Sequence, residues 1–303
     1  TMTDFAAPSY RMNLSADTLN ADRYLPPPVK EPEPKEGEEA PEDDSVVLPV
    51  KDLRKLKAQG NLEFGELQMM NLKLTKLKAG LDSAGDGIIN LKPLSVDMYA
   101  GNFDGAVIID VTGEKPRYKI NTEHKNMQVE PFLTDFMKIG AVSGRMNASF
   151  DVETTGNRIR HFKKNLNGTG TLNFRDGAFT TDFREELRES LAKIKGKSYK
   201  VKPGKPTTFS AIKAGLKFDQ GTVRNDDLEV RASYIHITGK GEYSLPKETL
   251  DYVATMTLSE DPTSQDEALT DIHGIPMGFH MKGKLAELNY KKIMTTALDD
   301  IVK

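Results

Sequence analysis

Apolar and polar residues alternate through most of this chain. Past Val46 the period-two pattern runs through Leu62 and Phe64, then Met70, Leu72 and Leu74, then Leu77, Ala79 and Leu81. It returns at Leu94-Val96-Met98, Val107-Ile109-Val111, Met146-Ala148-Phe150-Val152 and Leu172-Phe174. Later come Ile212 to Phe218, Ile235-Ile237, Leu250 to Leu258 and Ile275 to Met281. Polar residues fill the gaps, which is how strands of an antiparallel sheet read when one face is buried. Turn residues punctuate the runs at Gly85-Asp86-Gly87, Ala100-Gly101-Asn102, Asp176-Gly177, Asp219-Gln220-Gly221 and Leu245-Pro246. The pattern predicts roughly a dozen strands, by the same template.

Helical periodicity is scarce. Asp182 stands where a capping residue would, with Glu185 three positions on as in a capping box. Phe183, Leu187, Leu191 and Ile194 then fall on one face, and Lys193, Lys195 and Lys197 suit the negative end of the dipole before a stop at Gly196. A second stripe over 287–302 places Tyr290, Ile293, Met294, Ala297, Leu298 and Ile301 together. Short helices are expected at 51–57, 131–138 and 158–166. No β/α alternation runs through the chain, which argues against a doubly wound parallel sheet. The expected fold is mainly β with a few amphipathic helices: a large curved antiparallel sheet, forming a groove or a partly closed sandwich.

Composition divides the chain. The stretch 26–45, PPPVKEPEPKEGEEAPEDDS, has prolines without N–H groups and like charges that repel, so a disordered linker is expected. Ahead of it, residues 1–25 hold an alternating stretch, Tyr10 to Leu14, that completes a sheet of the body or of upstream sequence. Residues 46–303 form the main β domain. The 303 residues carry a net charge of −3, with 42 basic and 45 acidic side chains. Eight acids and two lysines lie between Lys30 and Asp44, so that stretch carries −6 and the remainder +3. This balance argues against wholesale nucleic-acid binding. No run approaches the roughly 18 apolar residues of a membrane helix. The first ten residues lack a signal peptide's basic and apolar regions; the chain is expected to be a soluble piece of something longer.

Reaction chemistry finds little support. There is no cysteine, which excludes disulfides and thiolate chemistry. The histidines, His124, His161, His236, His273 and His280, show no metal-ligand spacing, and His236 reads as an outward-facing strand residue. No nucleophile elbow, P-loop or dinucleotide fingerprint occurs. Gly168-Thr169-Gly170 and Gly239-Lys240-Gly241 sit inside strand patterns, where a bulge or sheet bend accounts for them. Acids such as Asp97, Asp104, Asp151 and Asp251 are scattered over many strands. No enzymatic activity and no cofactor are expected. Three Asn-x-Ser/Thr triplets (Asn13, Asn147, Asn167) say little. Lys193 to Lys205 holds six lysines and no acid; it reads as a solvated helix end and flexible loop, with a phosphate or headgroup contact as the other reading. The short His161-Phe162-Lys163-Lys164 patch reads likewise.

A dozen strands with so few helices leave an apolar face in want of a cover. The sheet must curl on itself, pack as a sandwich, or offer a concave surface to a ligand. Composition does not choose among these.

Several stretches resemble the C-terminal region of the AsmA family of bacterial envelope proteins. Asn20-Ala21-Asp22-Arg23-Tyr24-Leu25-Pro26-Pro27 is similar to that family's D-R-Y-L-P segment before a low-complexity linker. Leu48-Pro49, Leu53-Arg54 and Gly60-Asn61-Leu62 resemble the start of its β domain, and Pro93-Leu94 with Met98 to Gly101 and Gly105 a strand pair within it. Asn167 to Gly170 with Asp176-Gly177-Ala178, Thr208-Phe209-Ser210, and Ile275-Pro276-Met277 with Gly283 resemble its later segments in the same order. Two departures stand out. The membrane anchor usual in the family is not in this sequence, so a truncated fragment is expected, and the family's proline after the closing glycine does not follow Gly283.

The resemblance implies a periplasmic domain, anchored to the bacterial inner membrane in the full-length protein, that supports outer-membrane biogenesis. It implies handling of phospholipid or another acyl lipid in a β-groove, without catalysis or nucleic acid. Candidate lining residues are Leu72, Leu74, Val96, Met98, Ile108, Met146, Phe150, Leu216, Phe218, Ile237, Tyr252 and Met256. A closed core would use the same residues, and a slip of one register exchanges the faces. The rival reading is an assembly factor that binds outer-membrane protein segments, or other assembly proteins, along an exposed strand edge.

Overall fold

The structure is a computed structural model and describes residues 9–23, 48–69, 72–137, 140–200, 202, 204–259, 269–284 and 287–302. The linker at 26–45 and Met70 lie outside the described residues. Strand accounts for 62% and helix for 18%, so the fold is mainly β, with thirteen strands in one hydrogen-bonded order among the described residues. The strands are β1 (Ser9–Asn20), β2 (Lys57–Met69), β3 (Leu72–Ala84), β4 (Ile88–Met98), β5 (Gly101–Asp110), β6 (Arg117–Gln128) and β7 (Arg145–Thr155). After them come β8 (Asn167–Phe179), β9 (Thr207–Asp219), β10 (Thr222–Ala232), β11 (Ile235–Ser244), β12 (Thr249–Leu258) and β13 (Met277–Lys284). Their hydrogen-bonded order follows the sequence from β1 to β13. β1 is parallel to β2, whereas β2 to β6 and β10 to β13 pair antiparallel. The Tyr10–Leu14 stretch therefore belongs to this sheet, with Leu14 opposite Leu62.

Among the described residues five α-helices accompany the strands: α1 (Val50–Leu53), α2 (Val129–Met137), α3 (Ile159–Lys164), α4 (Phe183–Ile194) and, after the last strand, α5 (Tyr290–Val302). At α4 the Asp182 carboxylate accepts from the N–H groups of Arg184 (3.0 Å) and Glu185 (3.2 Å), as a capping residue should. Glu185 does not complete a capping box. Its carboxylate takes the Tyr199 hydroxyl (2.9 Å) and the Lys202 N–H (3.1 Å) instead.

Two compact units are distinguished. The first comprises Thr1–Met127, Ser149–Gly168 and Asp219–Gly221, and the second the remaining residues. In the second unit the apolar face of β11 to β13 is sealed by helices. Leu187 and Leu191 of α4 and Leu298 of α5 pack with Ile235, Met256, Leu258 and Met277 in a cluster from which water is excluded. In the first unit the described α-helices are only four and six residues long.

Period two is broken in places, and each break moves the apolar positions to the other parity. In β3 the shielded residues are Leu77, Ala79, Leu81 and Ser83 on one side of Lys76, and Leu72 and Leu74 on the other. Lys76 itself takes a left-handed backbone (φ 52°), and its neighbour β2 changes parity at the facing Gly65, from Phe64 to Leu67. The Lys76 ammonium lies 3.0 Å from Asp97 on β4. Such a bulge inserts one residue and re-aims those beyond it.

The sealed cluster sets an expected stability contrast. Leu187→Ala, fully buried in the wild type, is expected to lower the unfolding free energy by about 2–5 kcal/mol. Val253→Ser, at 45% exposure on the outer side of β12, is expected to shift it by about 0.5 kcal/mol or less. Urea titration of both variants checks this; comparable losses would contradict the assignment of faces.

Candidate functional site

Register fixes which side chains share the apolar face of the first unit. Across β4, β5 and β6, Ile89 stands opposite Ile109 and Ile109 opposite Tyr118; Leu91 opposite Val107 and Val107 opposite Ile120. Val96 faces Phe103, and Phe103 faces His124. Gly105 lies between Leu94 and the buried Thr122. β7 continues the surface, because the Phe150 ring meets His124 edge-on at 5.9 Å between centroids, as Phe103 does at 4.8 Å. Most of these residues, including Phe103, Val107, Ile109, Ile120 and Phe150, are half-buried rather than sealed. The opposite face carries Asn90, Lys119, Asn121 and Glu123.

One end of this face is plugged. Val111 is fully buried, and Arg54, just past α1, donates to the carbonyls of Val111 (2.9 Å) and Gly113 (2.6 Å). Phe162 of α3 meets the Tyr118 ring at 4.6 Å, and Ser83 donates to the Leu56 or Ile88 carbonyl. Toward the other end lie Leu67, Leu74 and Met98, opposite one another in register.

The candidate lining residues divide accordingly. Leu72, Leu74, Val96, Met98 and Phe150 fall on the shared face of the first unit. Ile108 falls on the other, between Asn90 and Lys119, because Val107 and Ile109 hold the inward parity. The remaining candidates belong to the second unit. There Met256 is buried beneath α4 and α5 with Ile237 packed against the same cluster. Tyr252 lies over β11, where a Cβ on Gly239 would come within 2.7 Å of its ring, so the glycine makes room for the phenol. Its hydroxyl donates to Asn225, and burial, with Asp227 and Asp226 nearby, pushes its pKa up to about 12. Met146 is buried, and Leu216 and Phe218 are half-buried on one side of β9.

Sequence reasoning missed β6, and with it Tyr118, Ile120, Thr122 and His124. Its inward positions include a threonine and a histidine, so the apolar alternation fades there. The signal that could have found it is the charged partner set, Arg117, Lys119, Glu123 and Lys125, at every second position but one. Two polar atoms on this strand are buried with no protein partner among the described residues: the Tyr118 hydroxyl and His124 Nδ1. Burial raises the Tyr118 pKa and lowers that of His124. Among the described residues no three His, Asp or Glu side chains gather as a metal site, and no helix is long and apolar enough to cross a membrane.

What emerges is a mainly β protein whose first unit leaves part of one apolar face only half-buried. The sequence pattern of the AsmA family matches residues 3–228, which is most of the chain, and the chain belongs to that family. Neither a curated protein nor a solved structure matches it. Membership supports a role in outer-membrane, lipid-related biogenesis at the level of the family, whose members are generally membrane-associated.

His124 gives the site a pH dependence. Its folded pKa is depressed, so the neutral ring is the favoured form and its contribution is complete above the unfolded value of about 6.5. As pH falls through that value toward the folded pKa, the unfolded chain binds the proton first and stability is lost. His124→Phe is therefore expected to show a shallower loss of urea midpoint between about pH 7.5 and 5.5 than the wild type. Parallel pH slopes would contradict the desolvated placement.

Proposed function

We propose that this chain holds or passes the acyl chains of phospholipids along the apolar face of its first unit, as a non-enzymatic periplasmic part of an inner-membrane-anchored protein. The observation that carries this reading is an apolar face on which Phe103, Val107, Ile109, Ile120 and Phe150 stay half-buried beside buried Ile89, Val96 and Met98, while its own described α-helices are too short to cover it. The second unit gives the contrast, since there α4 and α5 seal the equivalent surface. Enclosing a 16-carbon chain is worth about 12 kcal/mol at roughly 0.8 kcal/mol per CH₂. Phe103, Val107, Ile109, Ile120 and Phe150 supply surface of that kind, and no bond needs to be made or broken. The headgroup remains in solvent, where its charge keeps its hydration.

A second reading rests on the edges of the sheet. Among the described residues β1 pairs through one side only, and it exposes Tyr10 and Leu14, at 38% and 49%. An extended segment of an outer-membrane protein could add to such an edge through main-chain hydrogen bonds.

Photo-crosslinking separates the two. With a benzophenone side chain at Phe103, Val107 or Phe150, phospholipid is expected to crosslink, and native mass spectrometry to show lipid at a fixed ratio. At Ile108 and Lys119, on the other face, crosslinking is expected to be at background. Lipid-free protein, or equal labelling of both faces, would overturn the groove; capture of unfolded β-barrel segments at Tyr10 and Leu14 would then favour the edge.

A further inference from the structure

The six lysines of Lys193–Lys205 do not belong to a loose tail. α4 ends in a turn closed by Lys195 N–H to the Leu191 carbonyl (3.0 Å) and Lys197 N–H to the Ala192 carbonyl (2.8 Å), with Gly196 left-handed at φ 65°. The chain then returns along the helix and is fastened to its first turn. Tyr199 and the Lys202 N–H both bond the Glu185 carboxylate, and the Lys205 N–H bonds Asp182 at 2.9 Å. Glu185 is 5% exposed and also pairs with Arg188. Burial opposes its charge, but the Lys202 N–H, the Tyr199 hydroxyl and Arg188 together hold its carboxyl below the ordinary range.

The carboxylates of Asp182 and Glu185 are thus committed to backbone N–H groups, a phenol and an arginine. The ammonium groups are left outside. Lys195 lies 3.4 Å from Asp271, whereas Lys193, Lys197, Lys200, Lys202 and Lys205 are exposed and have no ion pair among the described residues. Over Asp182–Lys205 eight basic side chains stand against four acids, a local +4 in a chain whose net charge is −3. Holding like charges together on a fastened loop costs free energy unless an anionic partner offsets it.

We propose that this loop docks the second unit onto an anionic phospholipid bilayer. Lysine suits a surface of many phosphates, because each ammonium acts as a point charge without requiring a bidentate match. Single-stranded nucleic acid is disfavoured as the partner, since it needs aromatic platforms beside the charge and Tyr199, the aromatic residue of the loop, is tied to Glu185. This docking does not require the acyl groove and can hold or fail independently of it.

The test is co-sedimentation of the full chain with vesicles of phosphatidylcholine alone or with about 30 mol% phosphatidylglycerol, at about 50 and 500 mM NaCl. Binding is expected only with phosphatidylglycerol and mainly at low salt. The variant Lys197→Gln/Lys200→Gln/Lys202→Gln keeps every backbone tether, so its fold is expected to be intact by circular dichroism. It is expected to bind about 100-fold more weakly, roughly fivefold per lysine. Three results would each overturn the proposal: no dependence on phosphatidylglycerol, undiminished binding by the triple variant, or equal affinity for a single-stranded oligonucleotide at the same salt.

Discussion

The parity of a hydrogen-bonded ladder governs this molecule. Residues opposite one another across a strand pair point to the same side, so thirteen strands joined in sequence order share two faces and only two. The chain has apolar residues enough for one of them. Every departure from period two must therefore be matched by the neighbouring strand or absorbed in a bulge. Gly65 and Lys76 change parity together, which is why β2 and β3 keep one register along their length. Between β4 and β5 the extra residue is taken up alone, between Leu91 and Leu94. The apolar face survives these interruptions because they re-aim side chains without breaking the ladder.

How that face is finished differs between the two units. In the second, two amphipathic helices are laid over it, and Leu187, Leu258, Met277 and Leu298 lose essentially all contact with solvent. In the first, the protection is partial and the surface is marked by groups a sealed core would avoid. A tyrosine hydroxyl and an imidazole nitrogen lie there without protein partners among the described residues, and a buried threonine faces a glycine. Burying such atoms opposes folding. A surface that tolerates them is under a different demand from that of packing alone, and it is this contrast, more than the strand content, that directs attention to the first unit.

Much of the architecture could be read from the residues. The alternation gave the fold class and most strands, Asp182 marked the start of α4, and the stripe over 287–302 marked α5. Two strands escaped. β6 has histidine and threonine at inward positions, and β10 changes parity at Asp226-Asp227, between Asn225 and Leu228. β3 read as two strands because Lys76, in a left-handed conformation, breaks the count. Asp176-Gly177 read as a turn for the same reason; Asp176 has φ 50°, yet β8 runs through it. Face assignment was the weakest step. Ile108 sits in the run Val107-Ile108-Ile109, where hydropathy is silent about direction and only the partners Asn90 and Lys119 decide it.

The order of the strands has a consequence for how such a sheet is made. Each strand's partners are its neighbours in the chain, β1 included although it runs parallel to β2, so position along the sheet is a record of time of synthesis. The hairpins of β2 to β6 close loops of only a few residues, which keeps the entropic cost of each addition small. A growing chain can extend its ladder one hairpin at a time as it leaves the ribosome, without waiting for a distant partner. Lineages that need a longer or shorter sheet can gain or lose hairpins by duplication and deletion, and the strands already paired need not be rewritten.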